Sequence, residues 1–172
     1  TAERAQELDL RPMVEQNTES MRTAFTVTVD YRHDTTTGIS AADRSSTIRS
    51  LVDPATRPGD LARPGHIFPL VAREGGVLKR AGHTEAAIDL ARMAGMTPAG
   101  VLCEIVKEDK LEMARVPDLV AFAREHGLLF ISIADLVRYR RRNEKLVRRI
   151  AEARIPTPWG DFTCYVFESV LD

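Results

Sequence analysis

Four of the nine prolines and four of the ten glycines fall between Pro54 and Arg80, and that density of breakers forbids a long helix or an uninterrupted strand there. Only short apolar pieces survive within it, Ile67-Phe68-Pro69-Leu70-Val71 and Val77-Leu78. A stretch of this kind has to run over the surface of a scaffold built by its neighbours, and loops held that way are where binding and catalytic groups concentrate. The regular elements must therefore come from either side of it.

On the N-terminal side, residues 2–9 have helical composition. Phe25, Val27 and Val29 then alternate with Thr26 and Thr28, the period of a half-buried strand. Ser40 with Asp43 three residues later has the spacing of a helix start, with Ile48 and Leu51 as its apolar face before Pro54. On the C-terminal side, Thr84 is expected to cap a helix through Ala94, with Ala87, Leu90, Ala91 and Ala94 on one stripe. A buried strand over 100–106, a helix from Pro117 to His126, a strand over 128–133 and a helix from Ala134 follow. The last of these becomes strongly basic over 138–149 and is expected to be a solvated linker helix. Residues 161–171 alternate like the opening strand of a new unit. Helices and strands in this order predict an α+β fold, a mixed β-sheet flanked by helices.

The 172 residues suffice for one domain of ordinary size, and 24 basic against 25 acidic side chains give a net charge of -1. That balance excludes a basic nucleic-acid binder, and no apolar run approaches a membrane span of about 20 residues. Cys103 and Cys164 sit apart in apolar runs, which fits buried free thiols, a reducing compartment and a cytoplasmic location. The chain begins at Thr1 with no signal segment before it, so it is expected to be part of a longer protein.

One local pattern occurs twice, Arg63-Pro64-Gly65-His66 and Arg80-Ala81-Gly82-His83. Each places a cation for anionic oxygens three residues before an imidazole, and each glycine is expected to leave the backbone open to a ligand. His83 at a helix start would be kept neutral and available to a metal, while Arg80 and the Thr84 hydroxyl beside that N-terminus suit a phosphate. Thr37-Gly38-Ile39-Ser40 precedes another helix start and is a second phosphate cradle. Glu104 is the lone carboxylate of an apolar run, where desolvation would fit it for acid–base work. His33 and His126 are expected to be structural. These residues leave open acid–base or metal-assisted chemistry beside a bound phosphate, as in a metal-dependent sugar-phosphate isomerase or aldolase, and a non-catalytic phosphate-binding or regulatory module.

The stretches FTVTVD, TGISAADR, RPGHIFPL, GGVLKRAGHTEAAIDLARMAG, CEIV and FAREHGLLFISIADLVRYRR, in this order, resemble 3,4-dihydroxy-2-butanone 4-phosphate synthase of riboflavin biosynthesis. RIPTPWGDFTCYVFES resembles the opening strand of GTP cyclohydrolase II, which is fused behind the synthase in bifunctional polypeptides. The resemblance implies a lyase that takes D-ribulose 5-phosphate to L-3,4-dihydroxy-2-butanone 4-phosphate and formate with Mg2+ or Mn2+, and a homodimer. It implies a synthase portion over 1–142, a basic linker over 143–154 and the cyclohydrolase start over 155–172. His83 matches the metal ligand, Arg80, Thr84 and Thr37 the substrate contacts, and His66 and Glu104 the acid–base positions. The family's acidic loop, of the type Glu-Asp-Arg-Glu-Asn-Glu-Gly-Asp, has no counterpart in this sequence. The fold is therefore expected to be incomplete at its N-terminus and the chain inactive alone.

Overall fold

The computed structural model describes residues 1–171. Ala2–Glu7 (α1) opens the chain, with the Thr1 hydroxyl accepting from Arg4 N–H. Val29–Tyr31 (β1), Ala41–Val52 (α2) and Leu61–Ile67 (β2) follow, and β1 and β2 pair antiparallel. Then come His83–Met93 (α3), Val116–Glu125 (α4) and Ile133–Asn143 (α5). Val147–Thr157 (β3) and Gly160–Ser169 (β4) close the chain as a second antiparallel pair. The α+β class holds, and both sheets among the described residues are two-stranded and antiparallel. None of the helices described is long and apolar enough to cross a membrane.

Two small cores carry the packing. Leu8, Val29 and Leu61 are fully buried together, with Leu10, Tyr31 and Leu51 against them. Val77, Ala86 and Leu136 form the other, with Ile133 and Val137 of α5 beside them. The 23–30 segment is a strand only at its end. Phe25 is 40% exposed, while its neighbour Thr26 is enclosed, its hydroxyl donating to the Pro69 carbonyl at 3.1 Å.

The breaker-rich stretch is more regular than expected, because β2 runs straight through the first Arg-Pro-Gly-His. Register explains how it does so. Val29 pairs with Ile67 but Asp30 pairs with Ala62, so residues 63–66 bulge out of the ladder and Pro64 takes no place in the pairing. A Cβ on Gly65 would lie 2.0 Å from the Val29 carbonyl carbon and 2.2 Å from Asp30 N. Gly65 is thus required by the neighbouring strand and not by a ligand. Gly65→Ala is expected to cost about 2 kcal/mol, measured as a shift in the urea midpoint, since backbone cannot move aside as a side chain can.

Three further expectations are corrected. The runs 100–106 and 128–132 are not strands, and Val101, Leu102, Leu128, Leu129, Phe130 and Ile131 are all exposed. Segment 144–149 is not helix: α5 stops at Asn143 and β3 starts at Val147. Gly82, not Thr84, is the N-cap of α3, whose buried face is Glu85, Ala86, Ile88 and Asp89 while Leu90 is 42% exposed. The β3–β4 ribbon exposes both faces. Ile155 and Phe162 pair across it on one side and Glu152 and Tyr165 on the other, with Trp159 at the turn 88% exposed.

Candidate active site

Two clusters gather the candidate residues, and the extended segment from Thr23 to Asp30 touches both. At its far end, the bulge of β2 brings His66 back onto Asp30. The Asp30 carboxylate accepts the His66 backbone N–H at 2.9 Å through Oδ1, and Oδ2 lies 2.7 Å from ring Nδ1. A carboxylate can only accept, so this geometry suits a ring whose Nδ1 carries a proton toward the buried Asp30. Gly38, at φ +86, lies over this pair, where a Cβ would come 2.1 Å from Asp30 Oδ2 and 2.8 Å from His66 Nδ1.

The loop that places Gly38 is folded by Asp43. Ser40 caps α2 by accepting from Asp43 N–H at 3.1 Å. The Asp43 carboxylate accepts from Thr36 N–H at 3.1 Å, the Thr36 hydroxyl at 2.8 Å and Gly38 N–H at 3.0 Å. Those bonds, the Thr36 backbone N–H first, hold its carboxyl below the usual range. Thr37 stands exposed between two residues anchored this way, one position before the Gly38 that lies over the Asp30–His66 pair.

The second cluster is at the start of α3. Arg80 is not free: Nη1 donates to Glu85 Oε2 at 2.7 Å, Nε and Nη2 to the Met21 carbonyl at 3.3 and 3.2 Å, and Nη2 to the Thr23 hydroxyl at 3.1 Å. Of the five guanidinium N–H groups, these bonds leave one. A Cβ on Gly82 would lie 2.3 Å from Arg80 Nη1 and 2.7 Å from Glu85 Oε2. The space beside Gly82 therefore holds the ion pair, as the space beside Gly65 holds β1, and neither motif glycine is open to a ligand. His83 is exposed in the first turn of α3, with Thr84 partly buried after it.

Glu104 stands apart from its expected setting. It is exposed in an extended, unpaired segment, so the desolvation argument does not apply to it. An open cleft of about 720 Å³ between Ile105–Asp109 and α4 includes none of the six candidates. Sequence reasoning missed the buried carboxylates Asp30, Glu85 and Asp89, and read the buried Asp43 only as part of a helix start. Glu85 and Asp89 stand four residues apart on α3, and that spacing on an otherwise Ala- and Ile-bearing face was the available signal.

The loop that meets Arg80 is stitched by Glu19, whose carboxylate accepts from Met21 N–H and Thr23 N–H, each at 2.8 Å. The Thr23 and then the Met21 N–H lower its pKa from 4.5 to about 2. A depressed carboxyl stabilises the fold fully above its unfolded pKa and loses that contribution as pH falls through the folded value. The amides of Met21 and Thr23 should therefore stay protected from exchange at pH 4 and lose protection near pH 2, as followed by NMR.

The family model for 3,4-dihydroxy-2-butanone 4-phosphate synthase matches residues 1–139. The chain belongs to that family. It is 55% identical over 173 residues to riboflavin biosynthesis protein RibBA of Aquifex aeolicus, covering 99% of this chain and 42% of that protein. It is 60% identical over 167 residues to the bifunctional riboflavin biosynthesis protein RIBA 1 of Arabidopsis thaliana chloroplasts, covering 96% of this chain and 31% of that one. The chain thus spans less than half the length of these relatives. A two-domain 3,4-dihydroxy-2-butanone 4-phosphate synthase, RibBX of A. baumannii, superposes with a TM-score of 0.85 at 47% identity, over 99% of this chain and 50% of that one. A synthase crystallised with two magnesium ions superposes with a TM-score of 0.74 at 40% identity, over 82% of this chain and 70% of that one.

Among the described residues of this chain, no group of three His, Cys, Asp or Glu side chains could hold a metal ion. Magnesium prefers several oxygen ligands, carboxylate and water above all, and His83 brings a single nitrogen. The donors described here do not make a complete magnesium site.

Proposed function

We propose that this chain serves riboflavin biosynthesis as part of a 3,4-dihydroxy-2-butanone 4-phosphate synthase, which converts D-ribulose 5-phosphate to L-3,4-dihydroxy-2-butanone 4-phosphate and formate. The observation that carries the proposal is the Asp30–His66 pair under Gly38, in a chain whose residues 1–139 match that family. The reaction begins with removal of a proton beside the ketone to give an enediol. Loss of water, a skeletal shift, re-addition of water and departure of C4 as formate follow, so that no water is consumed or released overall. His66 supplies the base, with Nε2 taking the proton while Asp30 keeps the ring oriented. Thr37 offers its hydroxyl to the substrate beside that ring. Arg80, through its remaining N–H, and Thr84 at the N-terminus of α3 hold the phosphate.

Glu104 is assigned the second acid–base role on its motif match alone. His83 is the metal ligand this chain would contribute, to magnesium or manganese, and no step above passes through a metal. We assign residues 1–142 to the synthase portion and the β3–β4 ribbon to the start of a GTP cyclohydrolase II portion, as the bifunctional relatives suggest. In this reading the basic linker expected over 143–154 is the part of that segment ahead of β3, residues 143–146. A homodimer and a reducing, cytoplasmic setting complete the reading, although Cys103 is exposed and Cys164 partly buried and neither is the buried thiol expected.

The test is formate release from D-ribulose 5-phosphate with magnesium, measured for the 172-residue chain and for the longer polypeptide that carries it. Formate in step with the four-carbon phosphate from the longer polypeptide supports the reading. Binding of the sugar phosphate with no formate from either sample would sink it in favour of a binding module.

A further inference from the structure

We infer that Glu85 is a positioning residue for Arg80, setting the orientation in which that guanidinium meets a phosphate. The inference rests on the phosphate role proposed above for Arg80 and deepens it. Glu85 is 1% exposed, and a carboxylate that deep needs a partner on each oxygen. It has both. Oε1 accepts Arg73 N–H at 3.0 Å and Oε2 accepts Arg80 Nη1 at 2.7 Å. One carboxylate on α3 thereby grips the breaker-rich stretch at Arg73 and at Arg80, near its C-terminal end.

The other side of the guanidinium is fixed by the Met21 carbonyl and the Thr23 hydroxyl, in the loop stitched by Glu19. Arg80 is therefore clamped from two directions. Its one uncommitted N–H is left with a single direction in which to point, and a fixed fork loses less freedom on meeting an anion than a mobile side chain does.

Asp89, one turn further along α3, gives the contrast. It is 3% exposed and accepts Val77 N–H at 2.8 Å and Arg140 Nη1 at 2.8 Å. It anchors the same loop to the same helix but does not touch Arg80. A loss that follows from loosening the loop should appear in both carboxylate variants, whereas a loss of aim should appear only at Glu85.

The sign of the effect separates aim from charge. Glu85→Gln removes a negative charge beside Arg80, so Coulomb attraction alone predicts tighter phosphate binding. Loss of positioning predicts weaker binding. The experiment titrates inorganic phosphate and D-ribulose 5-phosphate into the full chain and its Glu85→Gln, Glu85→Asp and Asp89→Asn variants, and follows the Arg80 Nε–H resonance by NMR in each. In Glu85→Gln, affinity for both ligands is expected to fall about tenfold and the Arg80 Nε–H to lose its exchange protection. Glu85→Asp should recover part of both, and Asp89→Asn should keep the Arg80 signal although the chain is less stable. Tighter binding in Glu85→Gln, an Arg80 Nε–H that stays protected there, or equal losses in Asp89→Asn would each overturn the inference. If the unaltered chain binds neither phosphate, or Arg80→Gln binds as the unaltered chain does, the phosphate role of Arg80 itself falls. The protection data then still report whether Glu85 holds that side chain.

Discussion

Arg140→Met is expected to lower the stability of the chain by about 3–5 kcal/mol, the range for stranding one member of a buried ion pair. Sequence alone places Arg140 in a run of surface cations, where a replacement costs about 1 kcal/mol or less. The structure puts it elsewhere. Its side chain is 12% exposed, and Nη1 donates to the Asp89 carboxylate and to the Gly75 carbonyl at 2.9 Å. Nε and Nη2 grip Glu144 at 2.5 and 2.6 Å. Hydrogen bonds to Glu144 and then Asp89 raise the Arg140 pKa above its ordinary value, and the same bond to Arg140 holds the Glu144 carboxyl below its own. Removing the guanidinium leaves Asp89 charged, 3% exposed and satisfied only by Val77 N–H. The double replacement Asp89→Leu with Arg140→Met should recover part of the loss, because no charge is then buried, though Val77 N–H stays without its acceptor. Urea unfolding of the two single variants and the double one measures this. A loss below 1 kcal/mol in Arg140→Met would return that residue to the surface.

The largest effect on turnover is expected at the Asp30–His66 pair. His66→Ala in the longer polypeptide should reduce kcat by about 10²–10⁴, the usual contribution of a positioned general base. Asp30→Asn keeps the shape but replaces an acceptor that fixes Nδ1–H with an amide that can present a donor to the same nitrogen. That turns the free tautomer the wrong way, and a loss of roughly 10²-fold or more in kcat is expected, with KM little changed. Formate release against pH is the measurement. Full activity in His66→Ala would remove the base from this pair, and full activity in Asp30→Asn would reduce the carboxylate to packing.

Asp30 shows why half of that pair was hidden in the sequence. It ends an alternating strand pattern and carries no local sign of a partner, because the partner is reached through a register break 36 residues later. The breaker-rich stretch and the doubled Arg-x-Gly-His did mark where the candidates gather. Their glycines, however, answer to protein atoms at 2.0–2.7 Å, which spacing cannot reveal. The helix start at Ser40 was legible through its own hydroxyl, which accepts an N–H from three residues on, whereas Ser132, which caps α5 in the same way, was read as strand. The face of α3 was not. Alanines at 87, 91 and 94 read as a core stripe, while the enclosed face is built on Glu85 and Asp89, whose charges are met by arginines from other elements.

The runs 100–106 and 128–132 fail as strands for a different reason. An unbroken apolar run states that a segment needs neighbours on both faces and both edges, but it does not supply them. Among the described residues the only pairing of either run is a single antiparallel bridge from Val106 to Met113, and Leu129 is 97% exposed.

The turn between β3 and β4 has a practical consequence, since the chain contains one tryptophan and it is the residue at that turn. All indole fluorescence from this protein therefore originates at Trp159, in water, at the tip of a ribbon whose faces are bare. Any body that comes to rest against that tip dehydrates the only emitter, shifting its emission to shorter wavelength and shielding it from iodide quenching. The ribbon carries its own reporter, and contact with it can be timed in a stopped-flow instrument without attaching a label.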